Sequence, residues 1–113
     1  MSRSQRDKGA RREREIVAKH VGIGLRAERV PLSGGAHYKQ QGHDVDVYAR
    51  GTEEAPLVCE VKARGNGEGF KTLTAWLGGN DALFLIADRS EPLVVLPWRL
   101  WQELATRGVV VRG

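Results

Sequence analysis

The sequence of 113 residues contains a single cysteine, Cys59, and no apolar run long enough to cross a bilayer. One cysteine cannot form an internal disulfide, and a membrane-spanning helix needs about 20 mostly apolar residues. No apolar segment follows the basic N-terminus, as a signal peptide would require. We therefore expect no membrane partner and a cytoplasmic protein.

Several common site motifs are also missing. Residues 65–69, GNGEG, are followed by Phe70 where the dinucleotide fingerprint requires glycine, and no Walker Lys-Ser/Thr pair follows. The three histidines and Cys59 lack the spacing of zinc ligands. No GxSxG motif supports a serine-hydrolase triad around Ser33. These absences argue against nucleotide-binding, zinc and serine-hydrolase sites.

Residues 42–64, GHDVDVYARGTEEAPLVCEVKAR, predict two β-strands joined by a turn. Apolar residues alternate with Asp44 and Asp46 in the first strand and with Glu60 and Lys62 in the second, and alternate residues of a strand share one face. Pairing the strands would gather three carboxylates and an amine. Such a cluster suits Mg²⁺, beside which Lys62 could orient a water or offset charge on a phosphate. The alternative is that these charged residues only form the solvent-exposed face of a half-exposed sheet, which shows the same alternation.

A helix is predicted from near Gly9 to Gly22 or Gly24, where glycines offer a stop. Glu13 lies three and four residues before Ile16 and Val17, so it shares their inward side. An inward glutamate at the head of a core helix either pairs with an arginine or adds a fourth carboxylate to a nearby site.

Positive charge is concentrated near the N-terminus. The chain has a net charge of +4, and an excess of four basic residues already lies within residues 1–14. We predict a flexible basic arm at residues 1–8, one domain at residues 9–113, and a polar loop near residues 33–41. A solvated tail and a plain surface loop are the alternatives. Side chains predicted to bind DNA phosphates are Arg3, Arg6, Lys8, Arg11, Arg12, His37, Lys39, Arg64 and Lys71.

The remaining sequence predicts further helices and strands. A helix is expected at residues 70–77, with Phe70, Leu73 and Leu77 on one side. Residues 82–87, ALFLIA, form a continuous apolar run, which predicts a strand buried on both faces. Residues 93–96 form another strand, Pro97 opens a last helix, and residues 109–111 predict either an edge strand or a pairing surface for a second copy.

This order of elements, with an acid in the first helix, a serine loop, an Asp strand and an ExK strand, resembles the PD-(D/E)xK nuclease superfamily. GARREREIVAKHVGIGLRAERVPLSG, GHDVDVYA and CEVKAR are similar to the corresponding motifs of archaeal-type Holliday junction resolvases, which phages also encode. The resemblance implies a three-layer α/β fold of the restriction-endonuclease type, with a mixed central sheet flanked by helices. It also implies a Mg²⁺ or Mn²⁺ site and a two-fold homodimer.

By this resemblance Glu13 is the first-helix acid, Glu60 the second acid and Lys62 the catalytic lysine. The metal-binding aspartate is Asp46 or Asp44. Asp46 is favoured because the family's aspartate directly precedes an apolar strand residue and lies about a dozen residues before the ExK acid. The proline of the family's motif is absent here. The Val61 carbonyl is a further expected metal ligand, and Ser33 is expected close to the catalytic centre.

The sequence therefore predicts a Mg²⁺-dependent DNA endonuclease, namely a Holliday junction resolvase that acts in recombination and repair. One alternative is a nickase or restriction-like endonuclease that cuts other DNA. Another is a non-catalytic DNA-binding module whose carboxylates form only surface ion pairs.

Overall fold

The computed structural model describes the backbone of residues 3–30 and 43–112, and side chains over residues 9–30 and 43–107. By their contacts, residues 1–63 with 105–113 form one compact unit and residues 64–104 another. The predicted α/β class is confirmed and is consistent with a restriction-endonuclease-like fold. The elements are α1 (Arg3–Gly22), β1 (Ala27–Arg29), β2 (Val45–Val47), β3 (Leu57–Cys59), α2 (Lys71–Leu77), β4 (Leu83–Leu85), β5 (Leu93–Val95) and α3 (Trp98–Arg112).

Helix α1 begins at Arg3, six residues before the predicted start, so most of the predicted arm has helical backbone. It ends at Gly22, where the amides of Ile23 and Leu25 both bond the His20 carbonyl at 3.1 and 3.0 Å. Gly24 adopts a φ of 94°, a left-handed conformation that favours glycine and turns the chain towards β1. The division into an arm and one domain stays a prediction.

The first unit is built on an antiparallel sheet in the order β1-β2-β3. Val45 and Val47 on β2 are 0% and 1% exposed, and they form the core together with Leu25 and Ala27. Partly buried side chains that pack against this cluster include Ile16 and Val17 of α1 and Cys59 and Val61. Asp46, between the two buried valines, is only partly buried, so the predicted alternation along β2 is confirmed.

Strand β3 is shorter than the sequence predicts. It ends at Cys59, whose carbonyl accepts a hydrogen bond of 2.8 Å from the Asp44 amide. Two residues later the amide of Val61 donates to the side chain of Asp44 at 2.8 Å. A side chain thus takes the place of a main-chain acceptor, and Glu60 to Lys62 lie beyond the regular strand.

The second unit contains α2 and an antiparallel pair of β4 and β5. The predicted burial of residues 82–87 on both faces is wrong, because Phe84 and Ile86 are 66% and 79% exposed. Among the described residues β4 pairs only with β5, and the short connection between them favours antiparallel pairing. The described strands thus form two antiparallel sheets, where the resemblance implied one mixed sheet. Residues 109–111 lie in α3 and not in a strand.

Candidate active site

Asp46 lies in the middle of β2, on the face opposite the buried valines. The Nε2 atom of His43 contacts its Oδ1 at 2.9 Å. The side chains of His43 and Asp46 are 11% and 24% exposed, so the contact is largely shielded from water. Asp46 is therefore held by a specific partner and does not simply face solvent.

Asp44 precedes β2 and has a different partner. Its Oδ2 accepts the hydrogen bond of 2.8 Å from the amide of Val61, the residue between Glu60 and Lys62. Its own amide bonds the Cys59 carbonyl, so Asp44 contacts the β3 chain on both sides of Glu60. The two acids of the Asp motif thus do different things: Asp44 fixes the backbone of the ExK motif, and Asp46 contacts His43.

Glu60 and Lys62 lie side by side just after β3. Lys62 Nζ is 2.9 Å from Glu60 Oε2, and both side chains are well exposed. Val45 lies opposite Cys59, the last residue of β3, and this antiparallel register, continued one residue further, would bring Asp44 opposite Glu60. Asp46, two residues along from Asp44, shares this face of the strand pair.

Glu13 projects from α1 and is mostly buried. Its Oε1 accepts a hydrogen bond of 3.0 Å from Nε of Arg29, at the end of β1. Of the two roles that its inward position allowed, pairing with an arginine is the one observed. The pair joins α1 to the sheet across 16 positions of sequence.

The carboxylates of the Asp and ExK motifs are of the ligand type that magnesium ions prefer. Among the described side chains, over residues 9–30 and 43–107, no three His, Cys, Asp or Glu side chains converge closely enough to hold a metal ion. Mg²⁺, however, takes only one or two carboxylates and fills its remaining positions with waters and phosphate oxygens. Asp46 and Glu60 carry carboxylates of that type, and the β2-β3 register, continued past Cys59, would bring them to one face.

The thiol pKa of Cys59 is affected by the burial and the negative charge of this region. Burial, and secondarily the negative charge of Asp46, raises the pKa of its thiol. The Sγ atom lies 3.6 Å from the Leu57 carbonyl. The thiol is therefore protonated at neutral pH. Its partly buried side chain packs against the core, as the strand pattern indicates.

The remaining predicted site residues are spread over the chain. Arg11, Arg64 and Lys71 are exposed. Arg12 pairs with Glu15 at 2.8 Å, and its buried Nε has no hydrogen-bond partner among the described residues. Those outside the described side chains are Arg3, Arg6, Lys8, Ser33, His37 and Lys39. Their assignment to DNA binding or catalysis stays a prediction.

Two residues at this site were not singled out from the sequence. Arg29 was missed because an inward glutamate predicts an arginine partner without saying which one. His43 was missed because its contact with Asp46 spans three positions at the start of a strand, a spacing that strand periodicity does not predict. A histidine next to the Asp motif, in GHDVD, was the available signal.

Comparison with known proteins adds an independent finding. The family model for the archaeal Holliday junction resolvase (Hjc) matches residues 4–75, well over half of the chain. The matched range contains all of α1 but its first residue, the whole β1-β2-β3 sheet and the Asp and ExK motifs. No curated protein and no solved structure matches the chain. No helix in the described part of the chain is long and apolar enough to cross a membrane.

Proposed function

Because this chain belongs to the archaeal Holliday junction resolvase family, we propose that it is a Mg²⁺- or Mn²⁺-dependent endonuclease that nicks four-way DNA junctions as a homodimer. The family implies a nuclease. The observation that most directly supports an active site is the antiparallel register of β2 and β3, in which Val45 lies opposite Cys59. Together with the hydrogen bonds of Asp44 to the Cys59 carbonyl and the Val61 amide, it supports a site built from the Asp motif and the ExK motif.

The proposed metal ligands are Asp46, Glu60 and the Val61 carbonyl. Asp46 is preferred to Asp44 because one carboxylate oxygen of Asp44 already accepts the Val61 amide. Asp44 instead holds the backbone between Glu60 and Lys62 in place. When bound, Mg²⁺ lowers the pKa of a coordinated water and offsets negative charge on the phosphate.

Lys62 is proposed to act on the attacking water and the scissile phosphate. Its ammonium group, beside Glu60, can orient a water by hydrogen bonding and neutralise charge that develops on the phosphate oxygens. The water oxygen forms a bond to phosphorus, and the bond from phosphorus to the 3′ oxygen breaks. The products carry a 5′-phosphate and a 3′-hydroxyl.

The remaining predicted residues are proposed to bind and position the DNA. The pair of Glu13 and Arg29 fixes α1 against β1, and the basic residues of α1 then contact phosphates on either side of the cut. Ser33 is proposed to contact the scissile phosphate. Arg64 and Lys71 are proposed to bind phosphates through their exposed side chains.

The test is cleavage of a labelled four-way junction beside a linear duplex of the same sequence, with Mg²⁺ or with EDTA. We expect symmetrical nicks in the junction only, and only with metal. Glu60→Gln and Lys62→Met should each lower the cleavage rate by at least about 100-fold. The matched control is Glu54→Gln, which changes an exposed acid after β2 and should leave the rate unchanged.

Junction binding in EDTA, measured from low to high salt, accompanies this assay. Loss of affinity with rising salt is expected because phosphate contacts release counterions. Cleavage of both DNAs would keep the nuclease but replace the junction by a broader substrate. Tight binding without cleavage under either metal would contradict the proposal and favour a DNA-binding module.

A further inference from the structure

We propose that His43 is a positioning residue that orients the carboxylate of Asp46 for metal binding. This inference rests on the proposed function of the Asp46 and Glu60 site. It starts from a contact that the sequence did not predict: His43 Nε2 lies 2.9 Å from Asp46 Oδ1, and the histidine side chain is only 11% exposed.

The chemistry of the two groups fixes the direction of this hydrogen bond. An ionised carboxylate can only accept, so the Nε2 atom of His43 carries the hydrogen and donates it. Donation to Oδ1 restrains rotation of the carboxylate about its last side-chain bond and directs Oδ2 away from the histidine. The restraint matters because a carboxylate that binds a metal through one oxygen must present that oxygen in a narrow range of directions.

Partners of this kind affect metal affinity measurably. Hydrogen bonds to a ligating side chain orient it and raise its basicity, and their loss costs roughly 10- to 100-fold in metal affinity or activity. Asp44 cannot supply this restraint, because an ionised carboxylate has no hydrogen to donate to Asp46; its Oδ2 instead accepts the Val61 amide. Among the described residues, His43 is the one side chain observed to hydrogen-bond Asp46.

The test measures Mn²⁺ binding to the full chain without DNA, by the EPR signal of free Mn²⁺. His43→Ala removes the donor and should weaken Mn²⁺ binding about 10-fold or more. His43→Gln places an amide N–H near the position of Nε2 and should restore much of the affinity. In the Asp46→Ala background, His43→Ala should cause no further loss, since the two residues act through one contact.

A buried histidine that the proposed site does not use provides the matched control. His20 is 4% exposed, and its Nδ1 lies 2.8 Å from the Ile16 carbonyl within α1. His20→Gln should lower the unfolding temperature and leave Mn²⁺ affinity unchanged. His43→Ala should instead change Mn²⁺ affinity, while junction affinity in EDTA stays within about two-fold of wild type, because phosphate contacts and not the metal supply that binding.

The outcomes distinguish failure of the positioning role of His43 from failure of the proposed metal site. If wild type binds Mn²⁺ and His43→Ala binds it equally well, the positioning role is wrong and the metal site stands. If His43→Gln is as weak as His43→Ala, a hydrogen bond is not the cause and the inference is overturned. If wild type itself binds no Mn²⁺, the metal-dependent function fails and the inference fails with it.

Discussion

The two described sheets both consist of short antiparallel strands, but they differ in how apolar and polar side chains are arranged on their faces. In β1-β2-β3, apolar and polar residues alternate, and the two valines of β2 are fully buried while Asp46 between them is not. In β4-β5, both faces carry apolar side chains, and Phe84 and Val94, which lie opposite each other, are 66% and 51% exposed. The first sheet carries apolar and polar side chains on opposite faces of β2, whereas β4 and β5 carry only apolar side chains.

The contrast explains why the proposed site lies on the first sheet. A carboxylate on a strand is tolerated when its neighbours along the chain anchor the strand in a core and the carboxylate itself has a partner. Val45 and Val47 provide the anchor, and His43 and the Val61 amide provide the partners. No charged side chain stands between Leu83 and Leu85, so β4 carries no comparable site.

The strongest test of this contrast places the same charge in each sheet. Val45→Asp should cost at least about 4 kcal/mol of unfolding free energy, because an unpaired charge would be buried in the core. Val94→Asp should cost no more than about 1 kcal/mol, because that position is half exposed. Thermal unfolding followed by circular dichroism compares the two. Equal destabilisation would show that the exposed face of β4-β5 is covered in solution.

A second prediction separates the two acids of the Asp motif. Asp44→Ala leaves the Val61 amide without its acceptor and should cost about 1–2 kcal/mol. Asp44→Asn keeps an acceptor oxygen and should stay within about 0.5 kcal/mol of wild type. Urea unfolding of the metal-free protein measures both. A loss as large for the asparagine variant as for the alanine variant would mean that the negative charge, and not the hydrogen bond, matters there.

The smallest expected effect is a pH dependence from Cys59. Its pKa is raised in the folded state by burial and by Asp46, so the folded protein holds this proton more tightly than the unfolded chain. Stability from the thiol is complete below its ordinary pKa of about 8.5 and is lost as pH rises through the folded-state value. Above a pH of about 8.5, the unfolding free energy of wild type should therefore fall relative to that of Cys59→Ala. A constant difference up to pH 10 would contradict the raised pKa.

The sequence predicted most of the local structure where periodicity was strong. The alternation in residues 44–47 predicted both the buried valines and the acids on the opposite face, because successive side chains along a strand point to opposite faces whatever the strand packs against. Helix α2 and its end at Gly78 followed from the spacing of Phe70, Leu73 and Leu77 and from the following glycines. The predicted start of α1 and the predicted end of β3 were less accurate, because the ends of helices and strands depend on particular hydrogen bonds.

The sequence by itself determined the family, the α/β class and which residues carry carboxylates and amines in the two motifs. Only the tertiary structure decided which groups meet: Glu13 with Arg29, Asp44 with the Val61 amide, and Asp46 with His43. The tertiary structure also decided that the run at residues 82–87 is exposed on one face. Periodicity fixes the side of an element on which a residue lies, whereas partners depend on the register and packing of segments distant in sequence.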